Sequence, residues 1–201
     1  MLLVGLTGGL GSGKTLVGRA LESLGCVFIQ ADELGHAVLK PDGEAYSAVV
    51  EAFGPAILSA DGSIDRHSLA ALVFDRPDLL ERLNSFVHPA VRARQNSLVA
   101  EARQRDPNAI VVVEAAILVE TGSYKRFDRL IVTVCPLETQ IERAIKRSGL
   151  SRVEVESRLR RQASDEERRS VADFVVDTSR SKEETGMEVE KVYRSLRSLQ
   201  S

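Results

Sequence analysis

The segment Gly8-Gly9-Leu10-Gly11-Ser12-Gly13-Lys14-Thr15 directly follows the apolar run Leu2-Leu3-Val4-Gly5-Leu6. It matches the phosphate-binding pattern G-x-x-x-x-G-K-[ST] at every fixed position. Glycines permit backbone conformations with positive φ, so the N–H groups of such a loop can come close to phosphate oxygens. The segment therefore predicts a phosphate-binding loop (P-loop) in which the binding residues are Gly9, Gly11, Ser12, Gly13, Lys14 and Thr15.

A helix is predicted directly after this loop and should end near Gly25. Its apolar positions recur with helical spacing at Leu16, Val17, Ala20, Leu21 and Leu24. The positive end of the helix dipole would then face the bound phosphates. Lys14 is expected to reach the β- and γ-phosphates, and the Thr15 hydroxyl is expected to coordinate Mg²⁺. A glycine-rich turn that binds nothing is the alternative, which the order strand, loop, Lys-Thr, helix disfavours.

Composition limits the classes of protein to consider. The 201 residues and 22.0 kDa suit one α/β unit, with room for an inserted subdomain. A net charge of −2 and a pI near 6.0 give no basic field, so nucleic acid is not an expected partner. No apolar stretch reaches the roughly 18 residues that cross a bilayer. We therefore expect no membrane partner and a cytoplasmic location. Cys26 and Cys135 both stand beside apolar runs typical of strands, so we expect buried thiols and not a disulfide or metal pair.

Four further apolar runs read as strands and, with the first, predict a five-stranded parallel sheet. They are Cys26–Ile29, Ile110–Val113, Leu130–Val134 and Phe174–Val176. The expected architecture is a three-layer α/β P-loop NTPase fold, with helices on both faces of the sheet. Ligands of such sheets bind at the carboxyl ends of the strands.

Three carboxylates stand near predicted strand ends. Asp32 follows the second strand and could act as a base or position a hydroxyl, or could simply cap the next helix. Glu114 ends the third strand, where a second P-loop carboxylate would act through the metal ion or its waters. A structural salt bridge remains the alternative for Glu114 and for Glu120.

Residues 40–105 lack the strand pattern and read as helices broken by Pro and Gly turns. They carry polar side chains that could face a substrate or could be ordinary solvated charges, among them Asp65, Arg66, His88, Arg92 and Arg94. Residues 143–169 hold nine Lys or Arg against five Asp or Glu, a local charge of +4. A solvated helical hairpin is possible there, but an arginine-rich flap over a triphosphate is favoured.

The chain resembles the dephospho-CoA kinase family over nearly its whole length. The resemblance rests on Gly5–Thr15, on Ala31-Asp32, and on Phe53-Gly54, Ile64-Asp65-Arg66, Leu83-Asn84 and His88-Pro89 in the helical region. It continues through Glu138-Thr139-Gln140, Arg143, Arg147, Arg158, Gln162, Ala172-Asp173 and Asp177. The family commonly has an Asp and a Pro-Leu-Leu where this chain has Glu114-Ala115-Ala116-Ile117-Leu118, and an Asn where it has Thr178.

The resemblance implies transfer of the ATP γ-phosphoryl group to the ribose 3′-hydroxyl of dephospho-CoA. It implies catalytic roles for Asp32, Lys14 and Arg143, nucleotide binding by Arg147 and Asp177, and substrate binding by Asp32, Arg66, His88, Arg158 and Gln162. The expected cofactor is Mg²⁺ with ATP, and a monomer is expected. The expected core is 1–36, 106–142 and 170–201, with a substrate-binding helical insert at 37–105 and a helical lid at 143–169.

Two other functions stay open from the residues alone. Another small-metabolite or nucleoside monophosphate kinase would share the donor site and differ in its acceptor. A nucleotide sensor without an acceptor would need neither Asp32 nor the arginine-rich flap, and the chain has no Asn-Lys-x-Asp guanine-selecting sequence.

Overall fold

The computed structural model describes residues 1–200 and contains one five-stranded sheet. Its strands are β1 (Leu2–Gly8), β2 (Val27–Gln30), β3 (Ile110–Glu114), β4 (Arg129–Val134) and β5 (Phe174–Asp177). They lie in the order β2-β3-β1-β4-β5, and every neighbouring pair is parallel. The predicted five-stranded parallel α/β sheet is confirmed. All strand carboxyl ends therefore meet at one edge, where β1 runs into the P-loop.

Nine α-helices accompany this sheet within the described residues. They are α1 (Lys14–Ser23), α2 (Ala31–Ala37), α3 (Tyr46–Phe53), α4 (Arg66–Val73), α5 (Pro77–Arg105), α6 (Leu137–Ser148), α7 (Arg152–Leu159), α8 (Asp165–Ser170) and α9 (Lys182–Ser198). None of the helices in this part of the chain is both long and apolar enough to cross a membrane.

The sheet is buried on both faces, as its continuous apolar strands predict. Alternation along β4 shows the two layers: Ile131 packs into a core with α1 and α9, whereas Leu130 and Val132 pack on the opposite side with Leu118. On the first side, Val17 and Leu21 of α1 meet the α9 residues Val189, Val192 and Leu196. These two helices fix the position of the P-loop, because α1 begins at its last residues.

The chain divides into two compact units. The first contains residues 1–30 and 102–200 and holds the sheet; the second runs from Ala31 to Glu101. The second unit has its own apolar core, in which Val38, Val49, Ile57, Leu69 and Val73 are buried. It begins before the predicted insert boundary at residue 37, so Asp32 falls within it. The roles of 37–105 as a substrate insert and of 143–169 as a lid stay predictions.

Candidate active site

The turn between β1 and α1 forms a loop that only glycine fits at two positions. Gly11 and Gly13 have φ angles of 77° and 86°, in the left-handed region. A Cβ at Gly11 would lie 2.3 Å from the Gln140 carbonyl oxygen, and one at Gly13 would lie 2.8 Å from the Thr178 hydroxyl. Both the backbone conformation and the packing therefore require glycine. Helix α1 starts at Lys14, so its first unpaired N–H groups point at the mouth of the loop.

Lys14 folds back over the loop that precedes it. Its Nζ atom donates to the carbonyl oxygens of Gly8 and Gly9, each at 3.0 Å. The ammonium group is therefore held at the edge of the sheet to which a phosphate would bind.

Glu114, the last residue of β3, reaches the first turn of α1. The Thr15 hydroxyl lies 3.2 Å and 3.3 Å from the two Glu114 carboxylate oxygens. The Gln30 side-chain amide, at the end of β2, donates to the same carboxylate at 3.1 Å. Glu114 is 9% exposed, so a buried acid stands beside the Thr15 hydroxyl for which the sequence predicts a metal contact.

These groups suit a divalent cation held mainly by phosphates. A hydroxyl and a carboxylate are hard oxygen ligands, and Mg²⁺ bound with a nucleotide uses one or two protein oxygens and keeps several waters. Among residues 1–200 no cluster of three or more His, Cys, Asp or Glu could hold a metal by itself. Thr15 and Glu114 therefore fit a cation that arrives with a nucleotide, and not a closed structural metal site.

A pocket of about 170 Å³ opens between the P-loop and α6. Two arginines of α6, Arg143 and Arg147, line it opposite the loop. Its other lining residues are Gly11, Gly13, Lys14, Thr15, Leu16 and Glu114. Three cationic side chains and one carboxylate thus surround a small cavity at a helix N-terminus, an arrangement that favours a phosphate group with its metal ion.

Arg143 is fixed in this pocket by two hydrogen bonds to Thr178 and by a longer one from its Nη1 to the Cys135 Sγ atom at 3.7 Å. Its Nη1 donates to the Thr178 hydroxyl at 3.0 Å and its Nη2 to the Thr178 carbonyl oxygen at 2.8 Å. Arg147, one turn further along α6, is exposed. The two arginines therefore differ: Arg143 is anchored by hydrogen bonds, whereas Arg147 is exposed.

Three of the predicted nucleotide-binding residues lie outside this pocket lining. The Ser12 side chain is fully buried, 2.7 Å from the Thr133 hydroxyl, and its N–H donates to the Gly9 carbonyl oxygen. Gly9 packs against Gln140, whose Oε1 would lie 2.4 Å from a Cβ at that position. Asp177 lines another groove, and a hydrogen bond from the Ser179 N–H holds the pKa of its carboxyl below the usual value.

The predicted lid also contacts the P-loop. Gln162, predicted to bind substrate, accepts a hydrogen bond from the Leu10 N–H at 2.9 Å. The side chain of Arg168 is only 3% exposed and pairs with Glu120 at 3.0 Å and with Asp165 at 3.3 Å. Arg158 is exposed on α7. Within the first unit, Gln162 therefore joins this segment to the P-loop, and Arg168 joins it to Glu120 after β3.

The remaining predicted substrate residues belong to the second unit. Asp32 lies in the first turn of α2 and is exposed, so it is not a residue that caps this helix from outside. Arg66 opens α4 behind Asp65, which caps that helix by accepting from the His67 N–H. His88 and Pro89 line a groove of about 320 Å³ along α5, together with Arg92, Ala93 and Asn96.

Sequence reasoning missed two features of this site. Thr178 follows Asp177 at the carboxyl end of β5, and its position at the ligand-binding edge of the sheet was the available signal. Arg168 appeared only as one charge in a dense run, because no local pattern distinguishes a buried arginine from a solvated one.

Comparisons with known proteins agree with this geometry. The family model for dephospho-CoA kinase matches residues 2–184. A dephospho-CoA kinase of Thermobifida fusca is 39% identical over 196 residues, which cover 98% of this chain and 96% of the relative. The crystal structure of a Thermus thermophilus protein is similar with a TM-score of 0.79 and 32% identity, covering 98% of this chain and 96% of that one.

A dephospho-CoA kinase from Campylobacter jejuni is similar with a TM-score of 0.68 and 25% identity, and 96% of each chain is covered. The matches extend through both compact units and are not confined to the P-loop. The chain belongs to the dephospho-CoA kinase family.

Proposed function

We propose that this chain transfers the γ-phosphoryl group of ATP to the ribose 3′-hydroxyl of dephospho-CoA, giving coenzyme A and ADP. The observation that carries the proposal is the pocket in which Lys14 and Thr15 of the P-loop face Glu114 and Arg143, in a chain of this family. ATP and dephospho-CoA are its substrates, and the reaction is the last step of coenzyme A synthesis.

The donor phosphates lie against the P-loop in this proposal. The N–H groups that open α1 and the Lys14 ammonium bind oxygens of the β- and γ-phosphates. Arg143 and Arg147 face them from α6 and stabilise the negative charge that spreads over the γ-phosphoryl group during transfer. Thr15 and Glu114 would hold Mg²⁺ directly or through water, and Mg²⁺ would neutralise charge on the β- and γ-oxygens.

Asp32 is the proposed general base. A bond forms between the 3′-oxygen and the γ-phosphorus while the bond from that phosphorus to the β–γ bridging oxygen breaks, and the hydroxyl proton passes to an Asp32 carboxylate oxygen. Within the described part of the chain, no side-chain hydrogen bond occupies this exposed carboxylate. Arg66, His88, Arg158 and Gln162 are the proposed substrate-binding residues, and Gln162 also accepts a hydrogen bond from the Leu10 N–H.

The test is an assay of ADP release with Mg-ATP and five acceptors, namely dephospho-CoA, AMP, CMP, dTMP and adenosine. We expect turnover with dephospho-CoA alone. The variant Asp32→Asn should lower kcat by a factor of roughly 10² to 10⁴, the usual contribution of a general base. Glu33→Gln is the matched control, because Glu33 is exposed in the same helical turn.

Turnover on a monophosphate and none on dephospho-CoA would contradict the proposed acceptor and favour another small-molecule kinase. Binding of ATP without transfer to any acceptor would favour a nucleotide sensor. The predicted monomer can be checked by light scattering of the purified protein, and the cytoplasmic location stays a prediction.

A further inference from the structure

Thr178 joins three parts of the candidate site that are far apart in sequence. Its hydroxyl accepts a hydrogen bond from Arg143 Nη1 at 3.0 Å and donates to the Ser12 carbonyl oxygen at 2.9 Å. Its own carbonyl oxygen accepts from Arg143 Nη2 at 2.8 Å. A hydroxyl group can accept and donate at once, so a single oxygen atom connects the arginine to the P-loop backbone.

Thr178 is itself held rigidly. Its N–H donates to the Val134 carbonyl oxygen at 2.9 Å, which extends the pairing of β5 with β4. The residue is 1% exposed, and its side chain lies where a Cβ at Gly13 would come within 2.8 Å. Its rotamer is therefore confined by the β4 backbone on one side and the P-loop on the other.

A long arginine side chain needs such an anchor if it is to act at a fixed place. Arg143 loses considerable rotamer freedom when it is held in one position, and an unanchored guanidinium would sample several. The two contacts to Thr178 use two nitrogens of the planar guanidinium, which sets both its position and its plane. Arg147 on the same helix is not anchored in this way, because its side chain is exposed.

We propose that Thr178 is a positioning residue that sets the Arg143 guanidinium relative to the P-loop, so that the arginine is already in place for the transferring phosphoryl group. The proposal rests on the function proposed above, in which Arg143 stabilises charge on that group. Thr178 acts through Arg143 and touches neither substrate.

The test compares Thr178→Val, which keeps the shape of the side chain and removes the hydroxyl, with Thr178→Ser, which keeps the hydroxyl. Misplacing a group by about 1 Å can cost roughly a hundredfold in rate. We expect Thr178→Val to lower kcat by about ten- to a hundredfold, with little change in the KM for ATP. Thr178→Ser should retain most of the turnover. Thr178→Ala is a second variant lacking the hydroxyl that cannot clash with Gly13, for use if Thr178→Val does not fold.

A double-mutant cycle separates positioning from a general effect on the loop. If the hydroxyl acts through Arg143, Thr178→Val should change kcat little in the Arg143→Ala background. An equal loss of kcat in both backgrounds would overturn the proposal, as would a Thr178→Val enzyme with wild-type kcat. Turnover of dephospho-CoA by the wild-type enzyme is measured first. If there is none, the proposed function is wrong. If there is turnover, the double-mutant cycle tests the role of Thr178 separately.

Discussion

The buried guanidinium of Arg168 forms an ion pair with the partly exposed carboxylate of Glu120, with Nη2 3.0 Å from Oε1. The side chains are 3% and 17% exposed, and Glu120 also accepts from the Ala163 N–H. Arg168 is within 3.5 Å of where a Cβ on Gly9 of the P-loop would lie. Its Nε has no hydrogen-bond partner among residues 1–200. The pair therefore ties α8 to the segment after β3, beside the P-loop.

Removing one member of this pair should destabilise the protein strongly. Arg168→Leu removes the buried cation and its hydrogen bonds to Glu120 and Asp165, and a hydrogen bond to a charged group contributes about 1.5 to 3 kcal/mol. Arg194→Leu is the control, because its pair with Glu190 is exposed and worth about 0.3 to 0.5 kcal/mol. Urea denaturation with linear extrapolation gives both values. A loss below about 1 kcal/mol for Arg168→Leu would mean that water reaches the pair and screens it.

Replacing the anchored arginine should slow the reaction more than it weakens ATP binding. Arginines that stabilise a transferring phosphoryl group contribute about 10³-fold or more to kcat. We expect a loss of that order for Arg143→Ala in steady-state assays, with a much smaller change in the KM for ATP. Lys146→Ala, which removes an exposed cation from the same helix, is the control. Near-normal turnover of Arg143→Ala would remove this residue from the mechanism.

The charge of the Glu114 carboxylate should set the concentration of Mg²⁺ that the reaction needs. Glu114→Gln keeps the shape of the side chain and the contact with Gln30 but removes the charge beside Thr15. Groups that support a metal site typically change its affinity by about ten- to a hundredfold. The concentration of Mg²⁺ that gives half-maximal rate at fixed ATP should therefore rise by about that factor. Glu190→Gln, an exposed change on α9, should leave it unaltered. An unchanged requirement in Glu114→Gln would assign Glu114 a structural role only.

Substitutions in the groove along α5 should weaken binding of the acceptor, dephospho-CoA, and leave binding of ATP unchanged. Arg92 and His88 line this groove, and both are exposed. The guanidinium of Arg92 and the ring N–H of His88 can donate hydrogen bonds to an anionic substrate. Hydrogen bonds to charged groups contribute about 1.5 to 3 kcal/mol, so Arg92→Ala should raise the KM for dephospho-CoA by about tenfold or more. The KM for ATP should stay close to the wild-type value. Arg82→Ala is the control on the same helix, and equal effects of the two variants would argue against a substrate groove.

Stability should fall at alkaline pH because of Cys26. Burial raises the pKa of this thiol from 9.0 to about 12, although the nearby Arg197 lowers it in part. The folded state then keeps a proton that the unfolded state loses near pH 9.0, so the contribution to stability is full below that pH and declines as pH rises towards 12. The steepest slope expected from this one group is about 1.4 kcal/mol per pH unit.

Unfolding free energies at pH 8 and pH 10 measure this effect. The wild-type protein should lose more stability over that interval than Cys26→Ala, which has no thiol to titrate. Equal losses would show that Cys26 does not control the alkaline limit and that other groups dominate there.

The sequence by itself determined the parts of this protein that depend on short stretches of chain. The loop from Gly8 to Thr15 needs glycines at fixed places because of its own backbone angles, and the helix after it follows from apolar spacing alone. The five strands were predictable because runs such as Ile110–Val113 are apolar at every position, as strands buried on both faces must be. The position of Asp32 just after β2 followed from the same local patterns.

Only the tertiary structure decided which side chains meet at the end of the sheet. Thr15 contacts Glu114 across 99 residues and Thr178 contacts Ser12 across 166, distances in sequence over which no local pattern carries information. The strand order β2-β3-β1-β4-β5 brings these residues into contact, because it places β3 and β4 on either side of β1. Arg168 is buried because it pairs with Glu120, and the Ser12 side chain is buried because it contacts Thr133; both partners are far away in the sequence. The sequence thus specified the phosphate-binding loop, and the fold supplied the groups that surround it.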